Sequence, residues 1–491
     1  MPEGNGNTLR EALTFDDVLL EPKYSTCLPS AVDLTTQLTE KITLHIPVLS
    51  AAMDKVTEAP TAIAMARAGG VGVVHRNLSI EKQVLEVKKV KKSESGMILD
   101  PIRLHSQERV RTAIELIKKH GISGFPITEG SKLVGILTNR DIRFEEDLER
   151  PVQELMTPIE RVVTARENVS RKEAIRLMHR HRIEKLPIVN AQGELHGLIT
   201  IKDIQKSIAH PFGNRDEQGR LRVGAAVGTG DDSRERSQAL AEALVDFIVI
   251  DTAHGASKNV LEMLRWLKKQ LPEMQVVAGN VATGEGAKCL YDAGADAVKV
   301  GMGCGSICTT RVVTGVGVPQ FSAVRECIAV AHDYGRPLIA DGGMRYSGDV
   351  AKALAAGAHA VMIGNMLAGT EEAPGEIVFY QGRTYKSYRG MGSLEAMRQG
   401  SRDRYGQADY DETQLVPEGI EGMVPFRGSL AQVLHQLVGG VQAACGYLGA
   451  HNLKELRENA CFVKVTGQGF HESHVHDVFV VKEAPNYRPN E

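Results

Sequence analysis

The sequence predicts an α/β protein whose main domain is a closed (β/α)8 TIM barrel interrupted by an inserted domain. Two observations support this prediction. Eight short apolar runs recur along the chain, most of them followed by a segment with helical periodicity. The gap between the second and third runs is far too long for one βα connection. The runs cover residues 47–50, 71–75, 223–227, 247–251, 276–280, 297–301, 337–341 and 360–364.

Length and composition are those of a multidomain globular protein. The 491 residues exceed one ordinary core, and 42% hydrophobic with 24% charged residues are globular values. A net charge of -3 gives no indication of nucleic-acid binding. The seven cysteines lack paired spacing, and no apolar run resembles a signal segment or a membrane span. We therefore expect a cytoplasmic protein with reduced thiols and with neither nucleic-acid nor membrane partners.

The carboxyl ends of the barrel strands are the expected place for chemistry. The loop at 301–311, GMGCGSICTTR, follows the sixth run and combines alternating glycines with a cysteine and two threonines. Cys308 is the candidate nucleophile, because a thiolate is the strongest ordinary side-chain nucleophile. The alternative is a glycine-rich turn around a small buried cysteine. Asp251, Asn280 and Asp341 end other runs and are expected at the same mouth.

Glycine turns after the seventh and eighth runs, at Gly342-Gly343 and Gly364, predict a phosphate-binding corner. No Gly-x-Gly-x-x-Gly follows a strand and opens a helix, so a Rossmann dinucleotide site is not indicated. Any nicotinamide would have to lie across the barrel mouth. The polar tract at about 385–425 is expected to form a mobile flap rather than a packed layer.

The inserted domain, predicted at 96–210, contains an internal repeat. Residues 123–127 and 133–142 return as 184–189 and 195–204. The repeat resembles a tandem pair of cystathionine-β-synthase (CBS) modules, a Bateman domain, with Thr138-x-x-Asp141 and Thr200-x-x-Asp203 at the ribose-binding position of that family. The resemblance implies a purine nucleotide, ATP or GTP, that regulates the attached enzyme. An insert that serves packing alone is the alternative. The barrel would then comprise residues 1–95 and 211–491.

Two motifs carry a resemblance that covers nearly the whole chain. They are LTFDDVLL at 13–20, and GSICTT at 305–310 followed by GVGVPQ at 315–320. With these motifs the chain resembles the inosine-5′-monophosphate (IMP) dehydrogenase family of the bacterial type, whose sister is guanosine-monophosphate (GMP) reductase. The resemblance implies NAD-dependent oxidation of IMP to XMP, the committing step toward guanine nucleotides.

The same resemblance implies a role for each catalytic residue. Cys308 would add to C2 of the purine, and hydride would then leave for NAD. The flap would close with Arg404 and Tyr405, and Arg404 would activate the water that hydrolyses the thioimidate on Cys308. Thr310 and Glu418 would supply a second proton route.

The implied ligand positions fall into two sets. The IMP phosphate would be held by Ser306, Gly343, Gly364, Asn365 and Tyr388, the ribose by Asp341, and the base by Gly390, Met391, Gly392 and Glu418. NAD would be held by Asp251, Thr252, His254, Asn280, Gly301 and Gly303. Capping of the following helices is the alternative for Asp251 and Asn280.

The family also binds a monovalent cation, usually potassium. The resemblance implies carbonyl ligands from Gly303, Gly305 and Cys308, joined by Glu472, Ser473 and His474 of the partner subunit, and hence a homotetramer. Whether tetramers pair into an octamer stays open. A zinc cluster at the histidines of 471–476 is the alternative, although its spacing matches no established motif. Cys304 departs from bacterial relatives, which commonly have proline there, and this bears on the rigidity of the loop.

Two rival functions remain open. GMP reductase shares the barrel, the cysteine and the phosphate corner, but it lacks the Arg-Tyr pair and generally lacks the CBS insert. A nucleotide-sensing protein with an inactive barrel is supported by the tandem modules alone. The joint presence of Cys308, Thr310, Arg404 and Tyr405 favours a working dehydrogenase.

Overall fold

The computed structural model describes residues 9–93, 98, 101–167, 169–201, 204–205 and 209–487, without the side chain of Arg171. The chain divides into two compact units. The first comprises Met1–Lys91, Phe212–Asp216 and Leu221–Glu491, and the second comprises Lys92–Pro211 and Glu217–Arg220. In the described ranges, no helix combines the length and apolarity needed to cross a bilayer.

The first unit is a closed barrel of eight parallel strands. In chain order they are β1 (Val48–Ser50), β2 (Val71–Val74), β3 (Val223–Val227), β4 (Phe247–Asp251), β5 (Gln275–Val281), β6 (Ala297–Val300), β7 (Leu338–Asp341) and β8 (Ala360–Ile363). Each strand pairs with the next, and β8 pairs with β1, where Val361 lies opposite Val48. Every predicted run forms a strand, so the prediction of a (β/α)8 barrel is confirmed.

Helices surround the barrel and explain the apolar character of the strands. The main helices are α1 (Ala59–Arg67), α2 (Ile80–Ser93), α3 (Ser233–Glu242), α4 (Lys258–Gln270), α5 (Gly284–Asp292), α6 (Gln320–Tyr334), α7 (Ser347–Ala355) and α8 (Leu430–Leu448). Short helices at Thr310–Thr314 and Asn365–Ala368 follow β6 and β8. Because each strand is covered on both faces, its sequence is nearly continuously apolar rather than alternating.

The amino-terminal end of the barrel is closed by apolar packing. A two-stranded ribbon, Thr36–Thr39 with Ile42–Leu44, places Leu38, Ile42 and Leu44 in one buried cluster with the first residues of β2, β4, β6 and β8. This packing closes the amino-terminal end, and a TIM barrel carries its site at the opposite, carboxyl-terminal mouth.

The polar tract after β8 is more structured than its composition indicates. A three-stranded antiparallel sheet, Ile377–Tyr380, Arg383–Arg389 and Glu421–Pro425, brings the two ends of the tract together. Between them lie short helical segments at Leu394–Ala396, Met397–Ser401, Arg402–Tyr405 and Glu412–Gln414. Ala396 and Met397 are fully buried. A few apolar side chains thus anchor a segment whose polar majority had suggested little packing.

The second unit contains two similar sheets. One has the strands Leu104–His105, Gly124–Glu129, Lys132–Thr138 and Thr157–Pro158, with helices Val110–His120 and Asn139–Ile142. The other has Ala165–Arg166, Lys185–Val189 and Leu195–Thr200, with helix Arg171–His181. The two copies of the sequence repeat form equivalent hairpins in these sheets. Asp141 accepts from the backbone amide and the hydroxyl of Thr138, each at 2.7 Å. Asp203, its counterpart, lies outside the described residues.

The carboxyl-terminal part of the chain returns to the first unit. Strand Phe462–Lys464 pairs antiparallel with Val18–Leu20, and helices Leu453–Asn459 and Gly467–Glu472 flank it. Phe321 on α6 packs against Phe15 and Phe462, with ring centres 6.5 and 4.9 Å apart. Two segments that are far apart in the sequence, around Phe15 and Phe462, therefore pack against the same helix of the barrel wall.

Candidate active site

A buried lysine organises the floor of the carboxyl-terminal mouth. Lys299 lies on β6 with a side chain that is 1% exposed. Its Nζ donates to Asp251 Oδ1 on β4 at 2.9 Å, to Asp341 Oδ2 on β7 at 2.6 Å, and to Asn280 Oδ1 on β5. A buried ammonium is costly unless paired, and two carboxylates with an amide oxygen satisfy all three of its hydrogens. The cluster fixes four neighbouring strand ends at one point.

Lys299 was not singled out from the sequence as a functional residue. The pattern AVKV at 297–300 places a lysine inside an otherwise apolar strand of the predicted barrel. That placement is itself an indication, because an unpaired charge is almost never buried in a strand core.

The alternative role of Asp251 and Asn280 as helix caps is wrong. The N-cap residues of α4 and α5 are Ser257 and Thr283 instead. Asn280 Nδ2 donates to the carbonyl of Gly301 at 2.8 Å and to Asp341 Oδ2 at 2.9 Å. Both side chains therefore belong to the site rather than to the helices that follow.

The candidate nucleophile lies on a loop that is paired along its length. Cys308 Sγ is 3.1 Å from the hydroxyl oxygen of Thr310. The amide of Thr309 donates to the carbonyl of Glu418 at 3.0 Å, and the amide of Ile420 donates to the carbonyl of Ile307 at 3.1 Å. The thiol is half-buried and lines a cavity, which distinguishes it from the buried cysteine of the alternative interpretation.

Cys304 has a structural explanation. Its thiol donates to the carbonyl of Asp341 at 3.1 Å and so ties the loop after β6 to the end of β7. Burial, followed by the Asp341 charge, raises the pKa of this thiol to about 12. Cys304 is therefore a neutral hydrogen-bond donor at ordinary pH, and it holds the loop by a contact that proline could not make.

Glycine is required next to Cys304. Gly303 has a φ of +71°, and a Cβ there would lie 2.4 Å from Arg311 Cγ. Arg311 in turn donates from Nε to the carbonyl of Met302 at 2.9 Å. The loop can thus fold over the Arg311 side chain only because residue 303 is a glycine and has no side chain.

A cavity of about 130 Å³ lies above this floor. All five predicted catalytic residues line it: Cys308, Thr310, Arg404, Tyr405 and Glu418. So do the predicted ligand residues Asp251, Thr252, Asn280, Gly301, Gly303, Asp341, Tyr388, Gly390 and Met391. The volume is below the few hundred Å³ of an ordinary ligand pocket, because the tract that carries Arg404 and Tyr405 occupies part of the mouth.

Six of the residues predicted to bind IMP or NAD do not line this cavity: His254, Ser306, Gly343, Gly364, Asn365 and Gly392. Gly392 lies under the Tyr405 ring, where an added Cβ would be 2.7 Å from Cζ. His254 is exposed. A larger cavity of about 750 Å³, near Arg345 and His435, contains none of the predicted site residues.

The predicted phosphate corner brings together residues from three loops. Asn365 Nδ2 donates to Ser306 Oγ at 2.9 Å, which joins the end of β8 to the Cys308 loop. A Cβ on Gly364 would lie 3.1 Å from the Tyr388 hydroxyl, and one on Gly343 would lie 3.4 Å from Cys304 Cβ. Burial raises the pKa of Tyr388, which therefore remains a neutral donor. The corner offers two hydroxyls and an amide at the edge of the cavity.

Arg404 reaches the floor from the opposite side. Its Nη1 donates to Asp251 Oδ2, and its carbonyl accepts from the amide of Ala253 at 3.2 Å. Its buried Nε has no hydrogen-bond partner among the described residues. Burial lowers the pKa of Arg404, and the charge of Arg76 acts in the same direction against the influence of Tyr405. Burial also raises the pKa of Tyr405.

Two further ion pairs, which the sequence did not predict, connect the tract to the barrel. Arg76, just after β2, binds Asp403 through both of its Nη atoms. Arg389 Nε donates to Asp54 Oδ2 at 3.0 Å, and its Nη2 donates to Gln399 Oε1 at 2.6 Å. The run RDRY at 402–405 shows alternating charges, but the partners are distant in sequence and no spacing identifies them.

The predicted cation ligands on the Cys308 loop have suitable chemistry. The Gly305 carbonyl accepts from the amide of Cys308 at 3.1 Å, whereas the carbonyls of Gly303 and Cys308 accept no hydrogen bond from the described residues. Carbonyl oxygens suit a weakly charged hard cation. Within the described ranges, no group of three or more His, Cys, Asp or Glu could hold a metal, so the zinc alternative at 471–476 has no structural support.

Comparison with known proteins agrees with this geometry. The sequence model described as "IMP dehydrogenase / GMP reductase domain" matches residues 12–476. The inosine-5′-monophosphate dehydrogenase of Aquifex aeolicus is 59% identical over 483 residues, 98% of each chain. That of Escherichia coli K12 is 55% identical over 480 residues, again 98% of each chain.

A crystal structure of GMP reductase from Trypanosoma brucei with guanosine 5′-monophosphate superposes with a TM-score of 0.89 and 40% identity, over 96% of this chain and 99% of that one. Since that match includes the length of the second unit, the presence of an insert does not separate the two activities. The much higher identity to the curated dehydrogenases does favour one of them. The chain belongs to the inosine-5′-monophosphate dehydrogenase family of enzymes.

Proposed function

We propose that the chain oxidises IMP to XMP with NAD as the hydride acceptor, through a covalent thioimidate on Cys308. One observation carries the proposal: Cys308, Thr310, Arg404, Tyr405 and Glu418 come from three separate stretches of the chain and line one cavity. A nucleophile and a set of groups able to move protons are thus assembled at the mouth of the barrel.

The first half of the reaction, formation of the covalent adduct and loss of hydride, takes place at Cys308. The thiolate forms a bond to C2 of the purine, and C2 then gives up a hydride. NAD, when bound, supplies the hydride acceptor. Thr310, 3.1 Å from Cys308 Sγ, is placed to orient the thiol or to receive its hydrogen bond. The overall balance is IMP, NAD and water to XMP, NADH and one proton.

The second half of the reaction, hydrolysis of the adduct, uses Arg404. Water adds to C2 and gives up a proton, the S–C bond breaks, and XMP leaves while Cys308 is restored. Arginine is an unusual base because its guanidinium ordinarily holds its proton far above neutral pH. Burial lowers the pKa of Arg404, which favours the neutral form, whereas the contact with the Asp251 carboxylate stabilises the guanidinium. Glu418 and Thr310 give a second route for the proton.

The corner and the floor supply the proposed contacts to IMP. Ser306, Asn365 and Tyr388 offer uncharged donors to a phosphate, together with the glycine turns at Gly343 and Gly364. Asp341 would accept from the ribose hydroxyls, and Lys299 with Asn280 holds its carboxylate in place. Gly390, Met391 and Gly392 would face the base.

The proposed contacts of NAD and of Arg404 share one residue, Asp251. This carboxylate lines the cavity next to Thr252 and Gly301, which fits an acceptor for the amide or hydroxyl groups of a cofactor. Arg404 occupies its second oxygen. Flap and cofactor would therefore use the same carboxylate in turn, which agrees with a cycle in which the flap closes after NADH departs.

Further proposals concern the cation and the assembly. Potassium would be held by the carbonyls of Gly303, Gly305 and Cys308, with Glu472, Ser473 and His474 of the partner subunit, in a homotetramer, and an octamer is the alternative assembly. Replacing potassium with an inert cation should lower activity. Sedimentation or mass photometry gives the assembly state directly.

The second unit would bind ATP or GTP as a tandem CBS domain. Thr138 and Asp141 lie on a cleft that also contains the basic residues Arg140, Arg161 and Lys185. Cations and hydroxyls in one cleft suit a nucleotide. Titration calorimetry with ATP and with GTP tests this proposal. The absence of heat with both would leave the unit as a packing insert.

One assay tests the main proposal. Purified protein with IMP, NAD and potassium should produce NADH absorbance and XMP. Consumption of NADPH with GMP, and no NADH with IMP, would assign the chain to the reductase branch instead. No turnover in either direction, together with nucleotide binding to the second unit, would favour the regulatory alternative.

A further inference from the structure

The turn that carries Arg404 and Tyr405 is held by its own ion pair. Arg76 Nη1 and Nη2 donate to Asp403 Oδ2 and Oδ1 at 2.9 and 2.6 Å. Both side chains are largely buried. A bidentate contact between two planar groups fixes orientation as well as distance. The turn Arg402–Tyr405 is thereby tied to the end of β2 in one orientation.

The barrel provides a fitted seat for this pair. A Cβ on Gly228, just after β3, would lie 2.8 Å from Asp403 Oδ2 and 2.9 Å from Arg76 Cζ. A Cβ on Gly230 would lie 3.2 Å from the same carboxylate oxygen. Two glycines thus leave the space that the pair fills, and almost any side chain at position 228 would displace it.

Asp403 immediately precedes the residue proposed to activate water. We propose that the Arg76–Asp403 pair is a latch that positions Arg404 and Tyr405 for hydrolysis of the Cys308 adduct and that hydride transfer does not need it. The inference rests on the proposed function. Arg76 and Asp403 are positioning residues, because neither lines the cavity that contains Cys308.

The position of Arg76 has a second consequence for Arg404. Burial is the main cause of the lowered pKa of Arg404, and the neighbouring charge of Arg76 lowers it further, whereas Tyr405 opposes the shift. A cation held beside another cation favours the neutral form of its neighbour. This influence is secondary to burial, and the contact of Arg404 with the Asp251 carboxylate opposes it, so the proposal concerns the placement of Arg404.

The test compares the first turnover with the steady state. In Asp403→Asn and in Arg76→Gln, rapid mixing with IMP and NAD should give a full burst of NADH, followed by a steady-state rate about tenfold lower. The NAD concentration that half-saturates the burst should fall, because an unlatched turn leaves Asp251 more often and competes less with NAD. Asp409→Asn, an exposed substitution in the same tract, should change neither quantity.

A double variant distinguishes a latch from general damage. If the two residues act only through each other, Arg76→Gln combined with Asp403→Asn should be no slower than the slower single variant. Additive losses, or a burst reduced together with the steady state, would overturn the proposal. Gly228→Ala should reproduce the Asp403→Asn behaviour without any change of charge.

The controls separate failure of the latch from failure of the proposed function. Absence of NADH from IMP in the unsubstituted protein would overturn both. A normal burst and turnover in the unsubstituted protein, with unchanged turnover in Asp403→Asn, would overturn the latch alone.

Discussion

The two carboxylates that share the Lys299 ammonium differ in what covers them. Asp251 meets a second cation, Arg404, on its other oxygen, and its side chain is 9% exposed. Among the described residues, the Asp341 carboxylate accepts from neutral Asn280 in addition to Lys299, and its side chain is 18% exposed. The difference indicates that one half of the mouth is filled by the protein itself and the other is left for a ligand. We associate the Asp341 half with IMP, and the Asp251 half with NAD and the flap in turn.

The largest expected effect separates the nucleophile from the flap. Cys308→Ala should abolish NADH formation, since no covalent adduct can form. Arg404→Ala should give a burst of about one NADH per site and then stall, because hydrolysis follows hydride transfer. Stopped-flow absorbance measures both phases. Arg402→Ala, in the same turn, is the matched control and should keep both. Loss of the burst in Arg404→Ala would remove the assigned division between the two halves.

The next largest effect tests Lys299, which binds both Asp251 and Asp341 and so joins the two halves of the mouth. Lys299→Met leaves two buried carboxylates without their cation, and removing one partner of a buried pair costs about 3–5 kcal/mol. Urea unfolding should show a loss of that order, with activity lost as well. Lys258→Met removes an exposed lysine from a 3.8 Å surface pair and should cost less than about 1 kcal/mol. Equal stability of the two variants would show that the ammonium does not hold the floor.

Features that depend on local motifs were predicted from the sequence better than features that depend on pairs of residues far apart in the chain. The eight strands, Cys308 and the glycine corner follow from short patterns with a direct physical meaning. Arg76 and Asp403 are separated by more than 300 residues, and nothing in either local sequence specifies the other. Lys299 was accessible in principle, because a lysine within a buried apolar strand requires a partner. Capping of the following helices by Asp251 and Asn280 was a reasonable alternative from local sequence. In the barrel, both side chains instead bind groups on neighbouring strands.

A smaller effect compares the two carboxylates directly. Asp341→Asn should raise the KM for IMP about 10- to 100-fold, the cost of losing a charged acceptor for two hydroxyls. Asp251→Asn should leave the KM for IMP nearly unchanged, raise the NAD concentration that half-saturates the burst, and slow hydrolysis. Steady-state and burst measurements on both variants provide the comparison. The same pattern in both would mean that the mouth does not divide into two halves.

The smallest effect concerns Cys304, at the edge of the Asp341 half. Its pKa of about 12 in the folded protein lies above the ordinary thiol value of 9.0. The folded state therefore holds this proton more tightly, and the resulting stability is present below about pH 9 and is lost as the pH rises from 9 toward 12. Cys304→Ala should cost about 0.5–1.5 kcal/mol at pH 8, and less at pH 11. Urea unfolding of both proteins at the two pH values measures the difference.

Thiol alkylation is an independent check on the same cysteine. At pH 8, Cys304 should react far more slowly than exposed Cys461, because its thiol is protonated and occupied by the Asp341 carbonyl. Peptide mapping after timed labelling gives both rates. Equal rates at the two positions would show that the loop does not shield Cys304.

The shared lysine also sets a charge balance. Lys299 contributes one positive charge against the two negative charges of Asp251 and Asp341, so the floor alone carries a net charge of -1, and Arg404 brings it to zero. The ring of oxidised NAD is also a monocation, and a hydride neutralises it. Under the proposed function, the floor would attract the oxidised cofactor, lose that attraction after the transfer, and then favour the guanidinium. The charge of the floor would thus favour the oxidised cofactor and the guanidinium over the reduced cofactor.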